Sequence, residues 1–149
     1  MFSSAIILVL STAAVMANPI SLLARQSGKV YCANTYYTVA SIDDAVNAGC
    51  NYLSQGNTVH DYPHQYNDYE GFNFAVEGPY YEFPLEKGYA YDGGQYPVFL
   101  DRRYQHAEAV TVGSPGADRA IFNANCQYAG SITHNGASGD DFVGCSDTQ

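Results

Sequence analysis

The chain has 149 residues, enough for one domain with a sizeable core, and fifteen Asp and Glu against six Lys and Arg leave a net charge of −9. That acidity argues against the broad basic face on which nucleic-acid binding normally rests. Fourteen Tyr and no Trp supply flat rings with a polar end, which pack in cores and can also stack on bases.

Residues 1–17 read as a secretory signal. Ala5 to Leu10 is an apolar run, and Val15-Met16-Ala17 supplies a small-residue cut site before Asn18. The run is far short of the ~20 apolar residues that a membrane span needs. Residues 18–25 form a possible pro-segment. A cut after Arg25 would leave Gln26 first, with five cations against fifteen acids, a charge of −10. The domain proper is then 26–149. Its four cysteines, Cys32, Cys50, Cys126 and Cys145, read in a small secreted chain as two disulfides, with three pairings open. No Cys-x-x-Cys spacing points to zinc.

One helix is signalled first. Ser41 can cap it, Asp44 closes a capping box, and Ile42, Ala45, Val46 and Cys50 recur at helical spacing, with Gly49 marking the approach to its end. Residues 51–61 are polar, with a turn at Gly56-Asn57. The period then becomes two. Phe72, Phe74 and Val76 alternate with Asn73 and Ala75 as a half-buried strand. Tyr80 to Phe83 is a second strand, stopped by Pro84. Arg119 to Asn123 and Ala129 to His134 are further strands around a turn near Ala124-Asn125, and short pieces at Tyr62–His64 and Phe142 can add to them. A helix followed by short strands argues for an α+β fold, one helix packed on a central antiparallel sheet, with the active site on the open face of the sheet.

Four segments end on residues that move protons or hold anions: Tyr62-Pro63-His64, Tyr80-Tyr81-Glu82, Gly113 to Arg119, and Ile132-Thr133-His134. One carboxylate, two imidazoles and a guanidinium are the parts for in-line phosphoryl transfer without a metal. A base takes a proton from the nucleophile, an acid gives one to the leaving oxygen, and fixed cations hold the phosphoryl charge. No cofactor is called for.

Segments 62–72 (Tyr-Pro-His-Gln-Tyr-Asn-Asp-Tyr-Glu-Gly-Phe), 78–84 (Gly-Pro-Tyr-Tyr-Glu-Phe-Pro), 113–119 (Gly-Ser-Pro-Gly-Ala-Asp-Arg) and 132–142 (Ile-Thr-His-Asn-Gly-Ala-Ser-Gly-Asp-Asp-Phe) resemble the secreted fungal guanyl-specific ribonucleases, in the family's order and over about Cys32 to Cys145. The resemblance implies an extracellular, monomeric enzyme with no metal and no membrane partner. It would cut single-stranded RNA after guanosine through a 2′,3′-cyclic phosphate and hydrolyse that to a 3′-phosphate. DNA, which lacks the 2′-hydroxyl, would not be cut. The resemblance makes Glu82 the general base, His134 the general acid and His64 the histidine beside the nucleophile. Arg119 and Tyr62 would contact phosphate, and Phe142 would pack at the subsite. For guanine it implies Glu70 as acceptor of N1–H and N2–H and backbone N–H groups around Asn67, Asp68 and Tyr69. Tyr66 and Tyr69 would sandwich the base, and Asp140 would offer a backbone carbonyl. Asp68 and Asp140 stand where Asn is frequent in the family. The disulfides implied are Cys32–Cys145 and Cys50–Cys126.

One departure is large. Glu82 and Arg119 are 37 positions apart, about twice the expected spacing. The insertion, about 95–113, carries Arg102, Arg103 and His106 among Tyr96, Phe99 and Tyr104, a cationic cluster in an acidic chain. It reads as a tolerated surface loop or as an extra contact to RNA or a partner. The alternatives to a general guanine-specific enzyme are a cytotoxic ribonuclease aimed at a defined RNA and a ribonuclease-like effector directed at a host partner.

Overall fold

The helix begins where a threonine can cap it. In the computed structural model, which describes residues 28–94 and 113–149, α1 spans Val39–Ser54. Its N-cap is Thr38, whose hydroxyl accepts from the Ser41 N–H at 3.2 Å. Ser41, the residue expected to cap, lies buried inside the first turn. Its hydroxyl is 3.1 Å from that of Thr38 and accepts from the Gly88 N–H at 3.2 Å. Gly49 does not end the helix. A Cβ there would come within 2.8 Å of the Phe122 ring and 3.1 Å of the Phe83 Cβ, so glycine is what lets the helix lie close on the sheet.

Ahead of the helix, β1 (Val30–Cys32) and β2 (Thr35–Tyr37) form an antiparallel hairpin that the periodicity did not announce. Three-residue strands are too short to show one. The main sheet is antiparallel throughout, in the order β3-β4-β5-β6-β7, built from β3 (His64–Tyr66), β4 (Tyr80–Pro84), β5 (Asp118–Asn123), β6 (Tyr128–Thr133) and β7 (Val143–Gly144). The short strand expected at Tyr62–His64 thus starts at His64, and Tyr62 makes only an isolated bridge to Val59.

One face of the sheet meets the helix: Phe83, Ala120, Phe122 and Tyr128 pack with Ile42, Ala45, Val46 and Cys50. The other face is not wholly open. Tyr66, Ile121, Ala129 and Ile132 form a second core under Phe72, Phe74, Val76, Tyr80 and Phe142. Residues 72–76 keep the alternation of burial expected of them but are not a strand. Their N–H groups go to isolated carbonyls, Asn73 to Gln149 at 2.7 Å and Ala75 to Ala129 at 3.1 Å, so the segment crosses the sheet as a cover instead of joining a ladder.

Cys32 is bonded to Cys145 and Cys50 to Cys126, across 113 and 76 residues. Loops of that size restrict the unfolded chain by the order of 4 kcal/mol each. The cationic cluster of the insertion and the proposed signal and pro-segment lie outside the described residues. The flanks of the insertion meet: a Cβ on Gly113 would sit 2.8 Å from the Gly94 Cα. The buried Tyr91 donates its hydroxyl to the Gly113 carbonyl at 3.2 Å. Among the described residues no helix is long and apolar enough to cross a membrane.

Candidate active site

Strand register brings the first two groups together. His64 on β3 is directly opposite Glu82 on β4, so both side chains rise from the same face. His64 Nε2 and Glu82 Oε1 form an ion pair, while His64 Nδ1 donates to the Asp61 carbonyl at 3.2 Å. Both ring nitrogens therefore face acceptors. The bond to Glu82 raises the His64 pKa, outweighing partial burial, which lowers it, so the imidazolium is favoured. Glu82 is buried, and its Oε2 has no hydrogen-bond partner.

Arg119 lies on the next strand. It pairs with Pro84 as Glu82 pairs with Ile121, which places Arg119 one step along the same face. Its guanidinium is buried and aimed by the preceding loop. Nη1 donates to the carbonyls of Pro115, Gly116 and Asp118 at 3.2, 3.0 and 3.0 Å, and Gly116 takes the φ of 66° that closes this loop. Nη2 donates to the Tyr62 hydroxyl at 2.8 Å, and Nε has no partner. Tyr62 is held on two sides: its ring stacks on His64 at 4.8 Å, and the guanidinium carbon stands 5.0 Å from its centroid.

His134 follows β6 directly. Its N–H bonds to the Ala117 carbonyl at 3.0 Å, which fixes it beside the arginine loop. Nδ1 is 2.9 Å from the Asp141 carbonyl. A carbonyl can only accept, so it is Nδ1 that carries the hydrogen of this bond. The ring stacks on Phe142 at 3.8 Å and 27°.

Phe142 leads to the second group of residues. Its N–H donates to Glu70 Oε1 at 3.0 Å, and the Tyr66 hydroxyl donates to Glu70 Oε2 at 2.7 Å. Burial works to raise the Glu70 pKa, but these donors and the residue's own N–H outweigh it and hold the carboxyl below its ordinary range. Tyr66 is buried, edge-on to Phe74 and Phe142, whereas Tyr69 is 90% exposed. The two rings are therefore unequal, one fixed and one projecting. Asp68 takes a φ of 52°, and its carboxylate accepts from the Phe72 N–H at 2.9 Å, so that side chain builds its own turn. Asn67 is exposed and accepts from Gln65 at 3.3 Å, and Asp140 stands exposed in the loop before Phe142.

Three supports were not singled out from sequence. Tyr37 donates its hydroxyl to Asp118 at 2.6 Å, directly behind Arg119. The Asp141 carbonyl orients His134. Tyr91 sets its ring edge-on against Tyr62, with centroids 6.2 Å apart. Asp118 and Asp141 sit beside or inside the motifs and could have been suspected there. Tyr91 carries no local signal.

A ribonuclease family model matches residues 25–146. Among similar proteins, guanyl-specific ribonuclease F1 from Fusarium fujikuroi is 45% identical over 89% of this chain and 86% of its own. Extracellular guanyl-specific ribonuclease Fl1 from Gibberella baccata is 47% identical over 78% and 95%. The solved ribonuclease He1 from Hericium erinaceus superposes with a TM-score of 0.51 at 32% identity, over 80% of this chain and 99% of that one. With the match covering most of its length and the one-helix, five-stranded architecture in common, this chain belongs to the ribonuclease family.

Proposed function

We propose that the protein is a secreted, monomeric endoribonuclease that cuts single-stranded RNA 3′ of guanosine, without metal or cofactor and without action on DNA. The carrying observation is Glu82, buried with Oε1 paired to His64 and Oε2 unpartnered, on the same sheet face as Arg119. Glu82 Oε2 takes the proton of the ribose 2′-hydroxyl. The oxygen attacks phosphorus in line, and His134 Nε2 protonates the departing 5′-oxygen. The His64 imidazolium pairs with Glu82 beside the nucleophile, and Arg119 with Tyr62 holds the phosphoryl oxygens. Phe142 fixes the His134 ring and keeps water from it. Hydrolysis of the cyclic phosphate reverses the roles of acid and base.

For the base, Glu70 is held with one donor on each oxygen, and each oxygen keeps a further lone pair for guanine N1–H and N2–H. Adenine has no N1–H. Tyr66 is the fixed platform and Tyr69 the projecting one, with backbone groups of 67–69 and the Asp140 carbonyl completing the pocket. Secretion agrees with the signal-like 1–17, with the two disulfides and with the relative named extracellular. The guanyl-specific relatives favour this reading over a single-target toxin or a non-catalytic effector.

The test is cleavage of GpC and ApC dinucleotides in the presence of a chelator. Guanosine 2′,3′-cyclic phosphate from GpC, with little product from ApC, is the expected result. Equal cleavage of both, or none of either, overturns the proposal.

A further inference from the structure

Both lysines of the chain, Lys29 and Lys87, come from segments 58 positions apart and converge on one tyrosine outside the cleft. Their Nζ atoms stand 4.4 and 4.8 Å from the centroid of the Tyr36 ring on the β1–β2 hairpin. Tyr36 is 44% exposed, and Tyr31, at 6.2 Å between centroids, is 53% exposed. The hairpin alternates: Tyr37 turns inward to Asp118, while Tyr36 turns out. Among the described residues the only other lysine or arginine is Arg119, which is buried in the candidate active site. The two exposed amino groups of an acidic surface are thus gathered on one exposed aromatic ring with a second beside it.

We propose that Lys29, Tyr31, Tyr36 and Lys87 form a second contact for single-stranded RNA, engaged by parts of the strand that run beyond the cleaved guanosine. The two ammonium groups meet backbone phosphates, and the more exposed Tyr31 ring takes a base. Cations that follow the backbone beside rings that stack on bases are the two elements of sequence-tolerant single-strand binding. Charge complementarity selects the partner, because outside the cleft these two ammonium groups are the only lysine or arginine charges among the described residues of an acidic chain. The patch is within reach of the cleft. Lys87 lies five positions after Glu82, at most about 18 Å of fully extended chain. Within that bound, a strand that runs on beyond the cleaved guanosine can reach from the cleft to the patch. The patch thus gives a −9 protein a local hold on RNA that the cleft does not require.

This inference rests on RNA being the substrate, so the test separates the patch from the cleft. The probe is a fluorescein-labelled 20-mer of uridine, which has no guanosine to be cut. Its binding is followed by anisotropy across a salt series, for the wild type and for Lys29→Gln with Lys87→Gln. The wild type is expected to bind the 20-mer and the double variant to bind it several-fold more weakly. Two lost phosphate contacts should flatten the log–log salt slope by about 1.4. Lys29→Arg with Lys87→Arg should restore binding, and all three proteins should cleave GpC at equal rates. No binding of the 20-mer by the wild type, or an unchanged slope in the Gln pair, overturns the patch. Failure to cleave GpC would strike the active-site reading and leave this readout standing. Retention of the wild type on insoluble glucan, lost in Tyr31→Ser but kept in the Gln pair, would assign the rings to carbohydrate and overturn the proposal.

Discussion

Glu70 and His134 are tied to one residue. The Phe142 N–H holds Glu70 Oε1 at 3.0 Å, and the Phe142 ring stacks on His134 at 3.8 Å. In the proposed mechanism, base recognition and proton donation therefore share a support two residues long, between the Asp141 carbonyl that orients His134 and the Phe142 amide that orients Glu70. Phe142→Ala keeps the amide and removes the ring. Turnover of GpC is expected to fall by about 10², the cost of a misplaced catalytic group, with the G-over-A ratio little changed. Steady-state kinetics on GpC and ApC decide this. An unchanged kcat would remove Phe142 from the chemistry.

Glu82→Gln and His134→Gln should each lower cyclisation by roughly 10²–10⁴-fold. Far-ultraviolet circular dichroism should show both variants folded. Wild-type rates in either variant, read by chromatography of the cyclic product, would refute the assigned acid and base.

Selectivity should rest on Glu70. A site built to pair with hydrogen-bond donors rejects an analogue lacking them by about 10⁴–10⁵. Glu70→Ala is expected to reduce the ratio of GpC to ApC turnover by orders of magnitude. If the ratio survives, guanine is read elsewhere.

The His64–Glu82 pair predicts a pH dependence of stability. The folded-state pKa of His64 is raised above its unfolded value, so its contribution is fully present below the ordinary imidazole value of about 6.5 and is lost as pH rises through the raised value. The side chain is 45% exposed, so solvent screening limits the contribution to under about 1 kcal/mol. Wild type should unfold at higher urea than His64→Gln at pH 5.5, and the gap should close in alkaline buffer. In a nuclear magnetic resonance titration His64 should titrate above 6.5, and Glu82→Gln should bring it down. A gap that widens with pH would reverse the sign argued here.

Gly49→Ala tests how the helix sits on the sheet. Inside a helix this change normally stabilises by about 1 kcal/mol. Here the added methyl meets the Phe122 ring at 2.8 Å, and overpacking should reverse the sign, with a net loss of about 1–3 kcal/mol in urea unfolding. A more stable variant would mean that the helix rides higher than described.

Sequence by itself determined what depends on local repetition and on residue type. The spacing of Ile42, Ala45, Val46 and Cys50 marks a helix because only one face of it is buried. The segments that lead to Glu82, Arg119 and His134 read as short strands or loops, each ending on a residue able to move a proton or hold an anion. The family resemblance names the candidate site residues, since short motifs hold their order whatever the fold does with them. Tertiary structure decided what depends on partners distant in the chain. Thr38 caps the helix in place of Ser41 because Ser41 is needed at Gly88, 47 residues away. Residues 72–76 alternate like a strand but cover one, because their N–H groups find lone carbonyls of Ala129 and Gln149 and no continuous edge. The pairing of His64 with Glu82 is a matter of register, set when the β3–β4 ladder forms. The two lysines meet at Tyr36 only because the hairpin and the chain beyond β4 pack side by side. Periodicity reports which face of an element is buried, and it carries no information about which distant group lies against that face.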